Sequence, residues 1–170
     1  DGVPTLAPVL REITPAVVNI ATVGQAAGQN PLFDDPFFQR FFGTPDGDPN
    51  ANQSVGSGVI VDSAAGFVLT NHHVIAGAAK IFVTLKDRRK LEAELVGTDP
   101  ETDIAVLRIP PEGIAAVPLG DSDALEVGDF VIAIGNPFAL GQTVTSGIVS
   151  ALGRTGLGLE GYEDFIQTDA

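Results

Sequence analysis

The 170-residue chain can bury one core, or divide it between two small lobes, and is too short for several independent domains. A formal net charge of -13 and a pI near 4.2 make long-range electrostatics repel nucleic acid and anionic lipid, which excludes nucleic-acid binding. The absence of cysteine removes disulfides, thiol catalysis and thiolate metal sites, while 44% hydrophobic against 18% charged residues is the balance of a globular chain, not a disordered one.

The start, Asp1-Gly2-Val3-Pro4, has no basic region followed by an apolar stretch, so it reads as a mature or trimmed terminus. Leu6, Val9, Leu10 and Ile13 then recur at helical spacing, with Thr5 placed as a cap and Pro8 in the first turn, which predicts a short lead-in helix. After Pro15 the β-branched run over 16–23 predicts a first strand that stops at Gly24. From about 25 to 54 the composition turns to Gly, Pro, Asn and Asp and predicts a long inserted loop. Within it Phe33, Phe37 and Phe41 repeat every four residues with Phe38 and Phe42 alongside, so a helical turn there would carry a wide aromatic face. Such a face either docks on another subunit or folds back onto its own domain. The sequon Asn52-Gln53-Ser54 is a chance-level match.

Short strands follow at 58–61, 67–70, 81–85, 91–96 and 104–109, a spacing that favours a barrel or sandwich. Over 80–85 the alternation puts Ile81, Val83 and Leu85 on a core-facing side. Pro110-Pro111-Glu112-Gly113 denies donors to any ladder and marks a seam, with a second lobe beginning near Ala116. That lobe holds strands at 130–134, 143–151 and 165–167, too few to close a barrel. The longest apolar runs are strand-sized, far below the ~20 residues of a membrane-spanning helix.

The two histidines are adjacent, His72 and His73, after Leu69-Thr70-Asn71 at an expected strand end. A metal site is disfavoured, because neighbouring side chains of a strand diverge and neither a cysteine nor a third histidine is present. On spacing alone the plainer reading is one turn histidine and one packed in the core. Asp103 opens the apolar strand Thr102-Asp103-Ile104-Ala105-Val106-Leu107, and a buried carboxylate there could bond one ring nitrogen and leave the other to accept a proton. An aspartate at a strand start is also an ordinary turn residue. The glycine-rich pieces lack the spacing and the Gly-Lys-Ser/Thr of a phosphate cradle, so nucleotide binding is disfavoured.

Taken together, Gly56-Ser57-Gly58-Val59-Ile60-Val61, Gly66-Phe67-Val68-Leu69-Thr70-Asn71-His72-His73-Val74-Ile75, Asp103-Ile104-Ala105, Gly135-Asn136-Pro137-Phe138 and Gly147-Ile148-Val149-Ser150-Ala151 resemble, in order and spacing, the HtrA (DegP/DegQ-like) family of trypsin-like serine proteases. The resemblance covers almost the whole chain. It implies an all-β double barrel with a short N-terminal helix and the long inserted loop: a complete first barrel over 1–113 and a truncated second one over 114–170, with no PDZ domain. It makes His73, not His72, the catalytic histidine and Asp103 its orienting partner. It likens 135–141 to an activation loop and 153–164 to a sensor loop, making Arg154 regulatory, where the alternative is a solvated loop arginine. It also likens the Phe33, Phe37, Phe38, Phe41 and Phe42 segment to a loop used for contacts between protease units, in a homo-oligomer built on trimers.

The family's nucleophile lies in a Gly-Asn-Ser-Gly-Gly segment, and none of the six serines here, at 54, 57, 63, 122, 146 and 150, has that setting. Asp123 follows Ser122 where glycine should be, and no serine sits in Gly-x-Ser-x-Gly. The expectation is therefore a piece of a periplasmic endopeptidase of unfolded or misfolded proteins. It would be inactive without its missing C-terminal part and need no metal or cofactor. The alternative is a non-catalytic binding or oligomerisation module acting through the aromatic loop.

Overall fold

The computed structural model describes residues 5–24, 54–136, 141–155 and 164–170. The aromatic segment with Phe33, Phe37, Phe38, Phe41 and Phe42 lies outside them. The lead-in helix α1 (Ala7–Ile13) begins two residues after the expected cap: Leu6 holds the N-cap position, and the Thr5 hydroxyl accepts the Ala7 N–H at 3.2 Å. Pro8 fits because amides of the first turn have no intrahelical acceptor to lose.

Six strands close into a barrel: β1 (Val17–Gly24), β2 (Val55–Asp62), β3 (Phe67–Asn71), β4 (Ala78–Thr84), β5 (Lys90–Asp99) and β6 (Ile104–Arg108). The order around it is β1-β2-β3-β6-β5-β4, every pairing antiparallel. Closure leaves no edge and encloses a core that includes Val18, Ile20, Ile60, Val68, Val83 and Leu107, all fully buried. The alternation expected over 80–85 is seen, since Ile81, Val83 and Leu85 are all buried. In β2 the inward positions are Gly56, Gly58 and Ile60, and a Cβ at Gly56 would stand 2.7 Å from Val74 Cγ2. Only glycine lets the strand pass that close to Val74. Leu107→Ala should leave a cavity and cost about 2–5 kcal/mol, read as a lower urea midpoint at constant slope.

The strap after β6 stays with this barrel past the prolines. Ile114, Ala116 and Val117 pack against its core, and the Val117 N–H bonds the Ile60 carbonyl at 3.0 Å. Arg89 clamps the strap, donating to the Glu112 and Gly113 carbonyls at 2.7 and 2.6 Å while its Nε meets Asp87 Oδ2 at 2.8 Å. The Arg89 backbone N–H, and then its guanidinium, hold the Asp87 carboxyl below the ordinary carboxylate range. A cavity of about 430 Å³ lies here, lined in part by Pro15, Ile60, Leu85, Lys86, Arg89 and Ile114 and by neither His73 nor Asp103.

Among the described residues three further strands form a separate sheet, β7 (Phe130–Gly135), β8 (Thr143–Arg154) and β9 (Phe165–Thr168), in that order. Phe130 and Ile148 are register partners on it and both are exposed, Phe130 at 78%. Three strands do not enclose a core, whereas six do. A polar knot ties this sheet to the barrel. Buried Asn19 of β1 donates to the Gly56 and Asn136 carbonyls at 3.3 and 3.0 Å, and the Asn136 N–H bonds Ser57 Oγ at 2.7 Å. Gln142 adds donors to the Thr14 and Val17 carbonyls.

Candidate active site

Chain topology makes the site before any side chain does. β3 pairs with β6 in the register Thr70↔Ala105 and Asn71↔Ile104, so the residues that leave β3 and those that enter β6 meet at one end of the barrel. There β3 does not simply end. It passes into one helical turn, α2 (His72–Ile75), whose Val74 and Ile75 are buried in the barrel core. The apolar pair pins the turn, and the two histidines ahead of it are held at the rim.

The turn sends the histidines to different partners. His73 Nδ1 lies 2.6 Å from Asp103 Oδ2, and the His73 backbone N–H donates to Asp103 Oδ1 at 2.8 Å. Both side chains are partly buried, with 32% and 16% of their surface exposed, so the contact is shielded from water without being sealed from it. His72 Nδ1 instead lies 2.7 Å from Thr98 Oγ1. That hydroxyl gives its one proton to the Ile104 carbonyl at 3.1 Å, so His72 Nδ1 is the donor of the pair. His72 is thus a buttress between α2 and β5, and His73 is the histidine that meets a carboxylate.

Asp103 reaches this position through an unusual backbone. Its φ is +52°, a left-handed conformation that costs a side-chain-bearing residue roughly 1–2 kcal/mol. Five bonds hold it there. Its carbonyl accepts from the His72 N–H at 3.0 Å and Asn71 Nδ2 at 3.1 Å, and its carboxylate accepts from Asn71 Nδ2 at 3.0 Å and twice from His73 as above. The preceding turn is closed by Asp99, whose carboxylate accepts from the Glu101 N–H and the Thr102 hydroxyl. An imidazole held at Nδ1 by an aspartate carries its proton on that nitrogen. Nε2 is then left with a lone pair, and among the described residues it makes no hydrogen bond.

Arg154 is not brought to this pair. It ends β8, and its Nε donates to Gln167 Oε1 on β9 at 3.0 Å. Segments 137–140 and 156–163, which hold most of the expected activation and sensor loops, lie outside the described residues. Among the described residues no group of three or more His, Asp and Glu side chains could hold a metal. Sequence reasoning missed Asn71, Thr98 and the Asn19–Ser57–Asn136 knot. Asn19, a polar residue inside the apolar run Val17-Val18-Asn19-Ile20, was the one legible signal among these.

A closed six-stranded barrel with a His–Asp pair at its rim, tied to a second β-sheet, is the architecture of a trypsin-like peptidase. The family described as trypsin-like peptidase domain matches residues 56–170. The periplasmic pH-dependent serine endoprotease DegQ of Escherichia coli K12 is 50% identical over 98% of this chain, and the periplasmic serine endoprotease DegP of Salmonella typhimurium is 47% identical over 98%. The chain spans 37% and 40% of their lengths. Among solved structures, the HtrA-type protease AlgW with tripeptide superposes with a TM-score of 0.78 at 45% identity, covering 98% of this chain and 46% of that one. A serine endoprotease from Yersinia pestis gives 0.69 at 36% identity, covering 90% and 47%. The chain belongs to the trypsin-like peptidase family, in its HtrA (DegP/DegQ) branch, whose members are serine endopeptidases. Its compartment is the bacterial periplasm, as for these relatives.

Proposed function

We propose that this chain supplies the base and its orienting carboxylate to a serine endopeptidase that cleaves unfolded or misfolded polypeptides. The observation that carries the proposal is the 2.6 Å contact between His73 Nδ1 and Asp103 Oδ2, with Nε2 left unbonded among the described residues. In this reading His73 Nε2 takes the proton of a serine hydroxyl as that oxygen attacks the scissile carbonyl. Asp103 stays ionised and stabilises the imidazolium. The same proton then passes to the leaving amine, and His73 next activates the water that releases the acyl group.

The serine is not one of the six in the chain. Ser57, at the seam between the barrel and the second sheet, is committed through its Oγ to the Asn136 N–H. The division at 113/114 then separates the first barrel lobe from part of the second in sequence, with the strap over 114–117 still lying against the first barrel. Arg154 supports a regulatory role by joining the strand that enters 156–163 to the strand that leaves it. The parent is a homo-oligomer built on trimers, with Phe33, Phe37, Phe38, Phe41 and Phe42 at contacts between protease units.

The purified 170-residue polypeptide should show no hydrolysis of a denatured protein and no labelling by a serine-reactive fluorophosphonate. Fused to the remainder of a peptidase domain, it should gain an activity that His73→Ala removes. Hydrolysis by the 170-residue polypeptide that His73→Ala abolished would mean that a serine within the chain is the nucleophile.

A further inference from the structure

We infer that Asn71 is a positioning residue for the His73–Asp103 pair, acting through the Asp103 carboxylate and not on substrate. The inference rests on the proposed role of His73 as base. Asn71 occupies the N-cap position of α2, where an asparagine side chain ordinarily accepts an N–H from the first turn, yet it makes no such bond. The cap acceptor is instead Asp103, whose Oδ1 takes the His73 N–H at 2.8 Å. The Asn71 amide is thereby released, and it is turned outward onto the same aspartate. Its Nδ2 donates to Asp103 Oδ2 at 3.0 Å and to the Asp103 carbonyl at 3.1 Å.

Two acceptors on one residue define which end of the amide faces them, because only the NH₂ group can donate. The consequence lies in which atoms are shared. Oδ2 receives both Asn71 Nδ2 and His73 Nδ1, so the amide fixes the rotation of the carboxylate at the oxygen the imidazole uses. The second bond, to the carbonyl, anchors the backbone of a residue whose φ of +52° it would otherwise leave readily.

The function served is tautomer control. A carboxylate held at Oδ2 keeps the proton on His73 Nδ1; one free to rotate lets the imidazole relax toward the Nε2–H form, which cannot accept a proton at Nε2. Asn71→Leu keeps the branched heavy-atom outline and removes both donors, and Asn71→Ser puts back one donor on a shorter arm.

The experiment is ¹⁵N NMR of the His73 ring in the 170-residue chain at a pH where the ring is neutral, with Asp103→Asn as the reference for a lost partner. The wild-type chain should show the Nδ1–H form in excess. Asn71→Leu should lower the Nδ1–H to Nε2–H ratio at least threefold, and Asn71→Ser should recover part of it. The amide spectrum of the barrel core, read at Val18, Ile60 and Val83, should be unchanged. In a fusion that carries the nucleophile, the same variants should lower kcat with KM preserved. An unchanged ratio in Asn71→Leu, with the wild type in the Nδ1–H form, overturns the role of Asn71 alone. A wild-type ring with no preference for Nδ1–H overturns the base assignment on which it rests. Should Asn71→Leu fail to fold, Asn71→Ser compared with wild type tests the same role: a smaller shift in the same direction supports it, and an unchanged ratio overturns it.

Discussion

Asp103→Asn, in a peptidase that carries this chain together with its serine, should lower kcat by about four orders of magnitude while KM and the melting temperature change little. The geometry says why so small a change does so much. Asp103 Oδ1 accepts the His73 N–H, so the oxygen of an asparagine would keep that place and its NH₂ would fall where Oδ2 now stands. There it faces two donors, His73 Nδ1 and Asn71 Nδ2. The imidazole can satisfy it only by moving its proton to Nε2, and a ring protonated on Nε2 cannot take a proton from a hydroxyl. The loss is therefore one of the wrong tautomer, not of binding or folding. Steady-state kinetics on a denatured protein substrate would check it, and a variant retaining a tenth or more of wild-type kcat would remove Asp103 from the catalytic arrangement.

Gly66→Ala should destabilise the fold by about 2–5 kcal/mol, with a matching drop in thermal midpoint. Gly66 closes the turn between β2 and β3, whose first half is held by Asp62 Oδ1 accepting from the Ala64 and Ala65 N–H groups. Its φ is +72°, which an alanine adopts at a cost of about 1–2 kcal/mol. Space is the larger difficulty, because a Cβ would lie 2.0 Å from the Ile109 carbonyl oxygen. That contact is with backbone, and Ile109 cannot retreat without losing the 2.9 Å bond from its N–H to the Gly66 carbonyl and its own place in the core. Equilibrium denaturation by urea measures the loss. A change below about 1 kcal/mol would mean that the turn and the residue 109 region can separate freely.

The aromatic periodicity over 33–42 is plain in the sequence as a pattern, but what it packs against is a question of partners, which periodicity does not address. Thr5 shows a smaller limit of local reading: its residue type suits a helix cap, and it does bond the Ala7 N–H, but the N-cap position itself falls on Leu6. Element ends are set by where the chain is carried next, and α1 runs straight into the turn that feeds β1.

What the sequence determined by itself was everything that repeats along the chain at short range. The strands announced themselves through β-branched runs and the two-residue alternation of Ile81, Val83 and Leu85, and the glycines and prolines marked where strands had to stop. Those signals depend on neighbours within a few residues, so no partner was needed to read them. The tertiary structure alone decided which strands adjoin, and with that which groups meet. The β3–β6 register carries Asp103 to His73, the turn of α2 sends His72 to Thr98, and the left-handed backbone at Asp103 makes a ligand of Asn71. Spacing could not distinguish the two histidines, because hydrogen bonds act through space at about 3 Å and are indifferent to how much chain lies between donor and acceptor.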